Sequence, residues 1–175
     1  AKGARRPAQQ ADPYAGHPRV RSSGNPDTAK VIAVGEMPGE TEIEQGEAFV
    51  GEAGQLLRRA IREETGLDSD REVYYSNVIP YRIAELQTDA QKIQAGKQCV
   101  GHLLNEMAAM PGLPVIGVGG IALTVLTGEK GITGERGILR RLPDKRTFFP
   151  VVHSAHILRA DAETRPGLER TFRQD

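Results

Sequence analysis

The chain has 175 residues, enough for one domain with its own core and short for two. Its 23 Lys and Arg balance 23 Asp and Glu, which excludes a binder that works by bulk charge, as histone-like proteins do, but not a local basic patch. A single cysteine, Cys99, excludes an internal disulfide and any all-cysteine zinc or iron–sulfur site. No stretch approaches the roughly 20 apolar residues of a membrane span. The first residues lack the apolar core of a signal peptide. A cytoplasmic protein without membrane contact is expected.

Residues 1–29 hold Gly, Pro, Gln and Ser without apolar periodicity and are expected to form an irregular basic arm ahead of a single domain over 30–175. Val31 to Val34, stopped by Gly35, reads as a buried strand. Ala53, Leu56, Leu57, Ala60 and Ile61 recur at helical spacing, with Gly66 as the stop. Val73 to Val78 reads as a second strand. Thr88 and Gln91 fit a capping box for a long helix. Its inner face would carry Cys99, Val100, Leu103, Leu104 and Met107, and Pro111-Gly112 would end it. Val115 to Val118 reads as a third strand, Gly119-Gly120 opens a short helix through Leu126, and Phe148 to Val152 reads as a fourth strand. From about Asp161 a terminal helix is expected, broken at Pro166.

Strands alternating with helices imply parallel crossovers. The expected fold class is α/β, a three-layer helix–sheet–helix sandwich around a central, mainly parallel four-stranded sheet. Ligands of such sheets bind beyond the carboxyl ends of the strands. The residues there are Gly35-Glu36, Asn77, Gly117 to Gly120 and His153. Charge is segregated around them. Residues 36–52 carry six glutamates and no basic group, while residues 130–159 carry seven basic groups against Glu135 and Asp144. Residues 1–30 carry six basic groups against Asp12 and Asp27. The acidic run flanks the first strand end, and the last basic run leads into the fourth.

Four motifs converge at these ends: GEMPG at 35–39, AFVGEAGQLL at 48–57, NV at 77–78 and HSAHILR at 153–159. Their order and spacing resemble the uracil-DNA glycosylase superfamily, nearest to its family-4 type, with Gly134 to Gly137 similar to the Arg-Gly turn ahead of the last strand. The resemblance implies a monofunctional DNA glycosylase that flips a pyrimidine out of DNA, hydrolyses its N-glycosidic bond and leaves an abasic site, without metal or cofactor. It implies Glu36, Glu42 and His153 as catalytic residues. Glu36 would position water or stabilise the sugar cation, Glu42 would border the base or the water, and His153 would hydrogen-bond the departing base. Met37, Phe49 and Asn77 would bind the base, Phe49 by stacking and Asn77 by its paired donor and acceptor. Arg136, Ser154, His156, Leu158 and Arg159 would meet DNA, with Leu158, or Ile157 beside it, as an apolar wedge.

The chain also departs from that family. Family-4 enzymes hold an iron–sulfur cluster on four cysteines, and only Cys99 is present here, with Tyr81 near an expected cysteine position. Met37 stands where Ala or Gly is usual, Ile43 replaces an acid, Ser154 replaces a proline, and His156 is an added ring. Gly39 stands where one branch has a tyrosine that blocks 5-substituted bases. Two substrates are therefore expected: DNA containing uracil, or DNA containing a hydroxymethylated or glycosylated pyrimidine, the second implying defence against phage with modified DNA. The alternative is a catalytically inactive, glycosylase-like module that binds DNA or protein. A monomer is expected.

Overall fold

The computed structural model describes residues 12–175. The expected arm therefore lies partly outside the described residues, with its Lys2, Arg5 and Arg6. Within residues 12–29, the Val20 amide donates to the Pro80 carbonyl, and Ser23 bridges to Tyr75.

The elements follow in chain order: β1 (Val31–Gly35), α1 (Glu40–Gln45), α2 (Glu52–Thr65), β2 (Val73–Asn77), α3 (Asp89–Cys99), α4 (Gly101–Ala108), β3 (Val115–Val118), α5 (Gly120–Thr127), α6 (Ile132–Glu135), β4 (Arg140–Arg141), β5 (Thr147–Val151), α7 (Ser154–Arg159) and α8 (Arg165–Gln174). The sheet order is β2-β1-β3-β5-β4. Neighbours are parallel except β4, which runs antiparallel to β5. β1 is buried along its whole length, as a central strand covered on both faces must be.

Two helical layers cover the sheet. Ala95, Leu103, Met107, Ile121 and Leu123, from α3, α4 and α5, build the core on one face. Leu56, Leu57, Ala60, Ile61, Ile157 and Phe172, from α2, α7 and α8, build it on the other. The chain leaves β1 toward β2 on one side and toward β3 on the other, so the topology reverses at the carboxyl end of β1. Such a reversal opens a crevice there. Among the described residues, no helix is long and apolar enough to cross a membrane.

The three-layer α/β class holds, with corrections in detail. The sheet has five strands, not four. β4 is a two-residue edge closed by a tight turn at Leu142 to Arg146, too short to carry an alternating pattern. The long helix after Thr88 is two helices, parted at Val100, where ψ relaxes to −17°. Leu104, expected on its inner face, is 51% exposed. Pro166 does not break the last helix but starts it, in the first turn, where its missing N–H costs no hydrogen bond. Gly66 ends α2 as expected, at φ 72°.

Candidate functional site

Beyond the carboxyl ends of β1, β2, β3 and β5 lies a cleft of about 330 Å³. The loop after β1 forms one wall. It is fixed by Glu42, which is 9% exposed although it sits in a run of glutamates. Its Oε2 accepts from the Gly39 amide at 3.1 Å, and its Oε1 accepts from the Gly51 amide at 2.7 Å. The first bond caps α1, and the second reaches the start of α2. One carboxylate thus clamps the two glycine-rich loops together. Charge-assisted bonds to backbone amides are among the stronger hydrogen bonds.

Phe49 forms the floor. Its backbone is left-handed, at φ 57°, a region that costs a bulky residue about 1–3 kcal/mol. The surroundings hold it there. A Cβ on Gly54 would come within 2.2 Å of the Phe49 carbonyl oxygen, and a Cβ on Gly35 within 2.6 Å of the ring. Only glycine admits these approaches. The Phe49 carbonyl accepts from Arg58 Nε at 2.9 Å. Arg58 is 8% exposed; its guanidinium also donates to Ser23 Oγ at 3.0 Å and to Asp70 Oδ1 at 3.0 Å. It stacks 3.9 Å from the centroid of the Tyr75 ring, itself 5.5 Å from Phe49. Burial pushes the Tyr75 hydroxyl up to about 12. Sequence reasoning missed Arg58; the available signal was an arginine between Leu57 and Ile61 on the apolar face of α2.

Asn77 ends β2, is 7% exposed and lines the cleft with its side chain beside Gly35. His153 follows β5 and caps α7, its Nδ1 accepting from the Ala155 amide at 3.1 Å. That bond places the ring proton on Nε2, leaving Nε2–H as the donor for the cleft. Burial holds the His153 pKa below its ordinary value, so the ring is neutral at neutral pH.

Glu36 stands at the rim, with Oε1 2.7 Å from Lys92 Nζ of α3. Lys92 and Arg82 line the cleft with Met37, and sequence reasoning missed both cations. They lie outside the strand-end motifs, on α3 and in the loop after β2, with no local pattern to mark them.

The expected DNA-facing residues divide. Arg159 lines the cleft and His156 is exposed. Leu158 is half-buried, packed against the core. Ile157, the alternative wedge, is fully buried and cannot serve as one. Ser154 is also fully buried and its Oγ has no partner, so its side chain is not available to DNA; it faces the interior at the first turn of α7. Arg136 lies away from the cleft lining, paired with Asp175.

Cys99 lines a second cavity, of about 590 Å³, beside Asp12, Tyr81 and His102. The residues there do not fit a four-cysteine cluster: the chain has one thiol, and burial pushes it up to about 11, away from the thiolate a metal needs. Hydrogen bonds from the Tyr81 hydroxyl to Asp12 and from the Tyr14 hydroxyl to Gln98, the latter at 2.7 Å, tie the segments together instead.

The family model described as the uracil DNA glycosylase superfamily matches residues 22–175. A type-4 uracil-DNA glycosylase of Thermotoga maritima is 32% identical over 142 residues, covering 80% of this chain and 71% of that protein. A type-4 uracil-DNA glycosylase of Sulfurisphaera tokodaii is 46% identical over 54 residues, 31% of this chain and 24% of that one. A DNA polymerase of Bacillus phage SP01 is 27% identical over 143 residues; the match spans 82% of this chain and only 15% of the phage protein.

Proposed function

The chain belongs to the uracil DNA glycosylase superfamily, and from that premise we propose that it hydrolyses the N-glycosidic bond of a pyrimidine flipped out of DNA. One observation carries this reading. The Asn77 amide, the Phe49 ring and the neutral His153 share one cleft with Glu36. That set offers stacking, edge recognition and stabilisation of both charges that develop when the bond breaks.

The chemistry follows from those groups. The base stacks on Phe49, an interaction worth roughly 1–3 kcal/mol. Asn77 meets its carbonyl and N–H with a matching donor and acceptor. As the C1′–N bond breaks, the electron pair leaves with the base and positive charge grows on the sugar. His153 Nε2–H donates to the base oxygen that gains the charge, and a neutral donor does this without surrendering its proton. The Glu36 carboxylate faces the sugar cation and orients the water that adds at C1′; the proton released by that water neutralises the departing base. Such preorganised groups typically account for factors of about 10² to 10³ each.

Uracil in DNA is the first substrate of this reading, supported by the uracil-DNA glycosylases it resembles. A second reading, a 5-modified pyrimidine, is favoured by the cleft itself. Gly39 puts no side chain into its wall, and Lys92 and Arg82 add donors for hydroxyl groups. That substrate would place the protein in defence against phage with modified DNA. In either case the enzyme would act as a cytoplasmic monomer. The test is incubation with oligonucleotides carrying uracil, hydroxymethyluracil, hydroxymethylcytosine or glucosylated hydroxymethylcytosine, followed by alkali. Strand breaks at uracil alone support the first reading, and breaks at modified bases alone the second. Tight binding without breaks on any substrate supports an inactive module. Loss of the breaks in Glu36→Gln and His153→Ala is expected, and full activity in both overturns the assigned roles.

A further inference from the structure

We propose that the Ile138–Leu139 turn enters the base stack of duplex DNA beside the cleft and props the gap left by the extruded nucleotide. This rests on the glycosylase reading above. Leu139 is 62% exposed and Ile138 43%; with Leu104 they are the large exposed hydrophobics of the described residues. Two adjacent apolar side chains held in water need a reason.

Their position supplies one. β4 pairs antiparallel with β5, Arg140 opposite Phe148, so the chain ahead of β4 runs toward the carboxyl end of β5. The Gly137 amide donates to the Pro150 carbonyl at 2.8 Å, which brings the turn level with a residue three places before His153. α6, just before it, sets Ile132 about 3.8 Å from where a Cβ of Gly120 would stand, and Gly120 lines the cleft. Ile132 packs with the α5 face of the sheet, whereas Leu158 packs with the α2 face. The turn therefore stands at the β4 edge of the sheet, between Ile132 of α6 on the α5 face and Asp175 at the end of α8 on the α7 face.

The stem of the turn is braced. Arg136 pairs with Asp175, and Arg140 with Glu135. Arg141 and Lys145 follow it exposed, with no ion pair among the described residues, and suit phosphates flanking the inserted step. Leucine and isoleucine are apolar wedges of the kind that part base steps. On α7, Ile157 is buried and Leu158 half-buried, so the freer apolar tips at this edge are those of the turn.

The test compares the wild type, the double variant Ile138→Ala with Leu139→Ala, and the control Leu104→Ala. Single-turnover excision is measured on one uracil oligonucleotide, single-stranded and paired. Extrusion from a stack is needed only in the duplex. The double variant is expected to lose at least tenfold on duplex and less than twofold on single strand, with Leu104→Ala unchanged on both. Equal losses on both substrates, or none, overturn the proposal. Fluorescence of 2-aminopurine placed beside the target is read in parallel. If the wild type excises nothing, the glycosylase reading fails on its own, and the probe still decides: a rise on wild-type binding that the double variant lacks supports the wedge, and no rise overturns it.

Discussion

Lys92 Nζ and Glu36 Oε1 stand 2.7 Å apart at the rim of the cleft, joining α3 to the loop after β1. Both side chains are mostly buried, at 23% and 20% exposure, so the pair is screened less than a surface one. The cation holds the carboxylate in one orientation. Lys92→Met is expected to lower kcat by roughly 10- to 100-fold, the scale of a misplaced catalytic group, with a smaller change in KM. Lys92→Arg, which keeps the charge, is expected to recover part of the loss in the same assay.

Glu42 tests whether the two glycine loops act as one wall. Glu42→Gln keeps the shape but offers one acceptor oxygen where two backbone amides donate. A loss of about 1–3 kcal/mol is expected in urea unfolding, the scale of one unsatisfied buried group. Activity should fall with it, because the Gly39 and Gly51 loops both border the cleft.

Arg58 carries the buried network behind Phe49. Arg58→Met would strand the Phe49 carbonyl and remove the stack on Tyr75. The expected cost is on the order of 2–3 kcal/mol, read as a lower urea midpoint. Arg58→Lys should not restore it, since an ammonium cannot reproduce the planar, several-pronged contact.

His153 gives the fold a pH dependence of known sign. Its folded pKa lies below its ordinary value of 6.5, because burial disfavours the charged ring. The unfolded chain therefore binds more protons below pH 6.5, and the contribution of this site is lost as pH falls from there toward the folded pKa. Melting scans from pH 8 downward should show this loss in the wild type. His153→Asn, which does not titrate, should flatten that part of the profile; an unchanged slope would assign the acid sensitivity elsewhere.

How much was legible depended on whether the cause was local. β1, β2, β3 and β5 were readable because runs such as Val31 to Val34 are apolar without interruption, as strands buried on both faces must be. Glu36, Phe49, Asn77 and His153 were readable because each sits at a strand end or in a loop tied to one, and the structure gathers them in one cleft. Lys92 and Arg82 were not, since they lie outside the strand-end motifs, and Arg58 showed only as an arginine on the apolar face of α2. The glutamate run showed half of this limit: the cap of Glu42 on the Gly39 amide is local, whereas its second bond, from the Gly51 amide nine residues on, is not. Ser154 and Ile157 were misread because α7 is six residues long, too short for its buried side to show as a period.

The floor of the cleft is held by main chain. Phe49 keeps its place because Gly54 and Gly35 leave no room for anything but its own carbonyl and ring. The walls, by contrast, present side chains such as Met37 and Arg82. Over evolutionary time such a protein has a fixed bench and interchangeable tools. Descendants can trade one damaged or decorated base for another by altering the walls, and a lineage that lost either glycine would lose the whole trade, not one substrate.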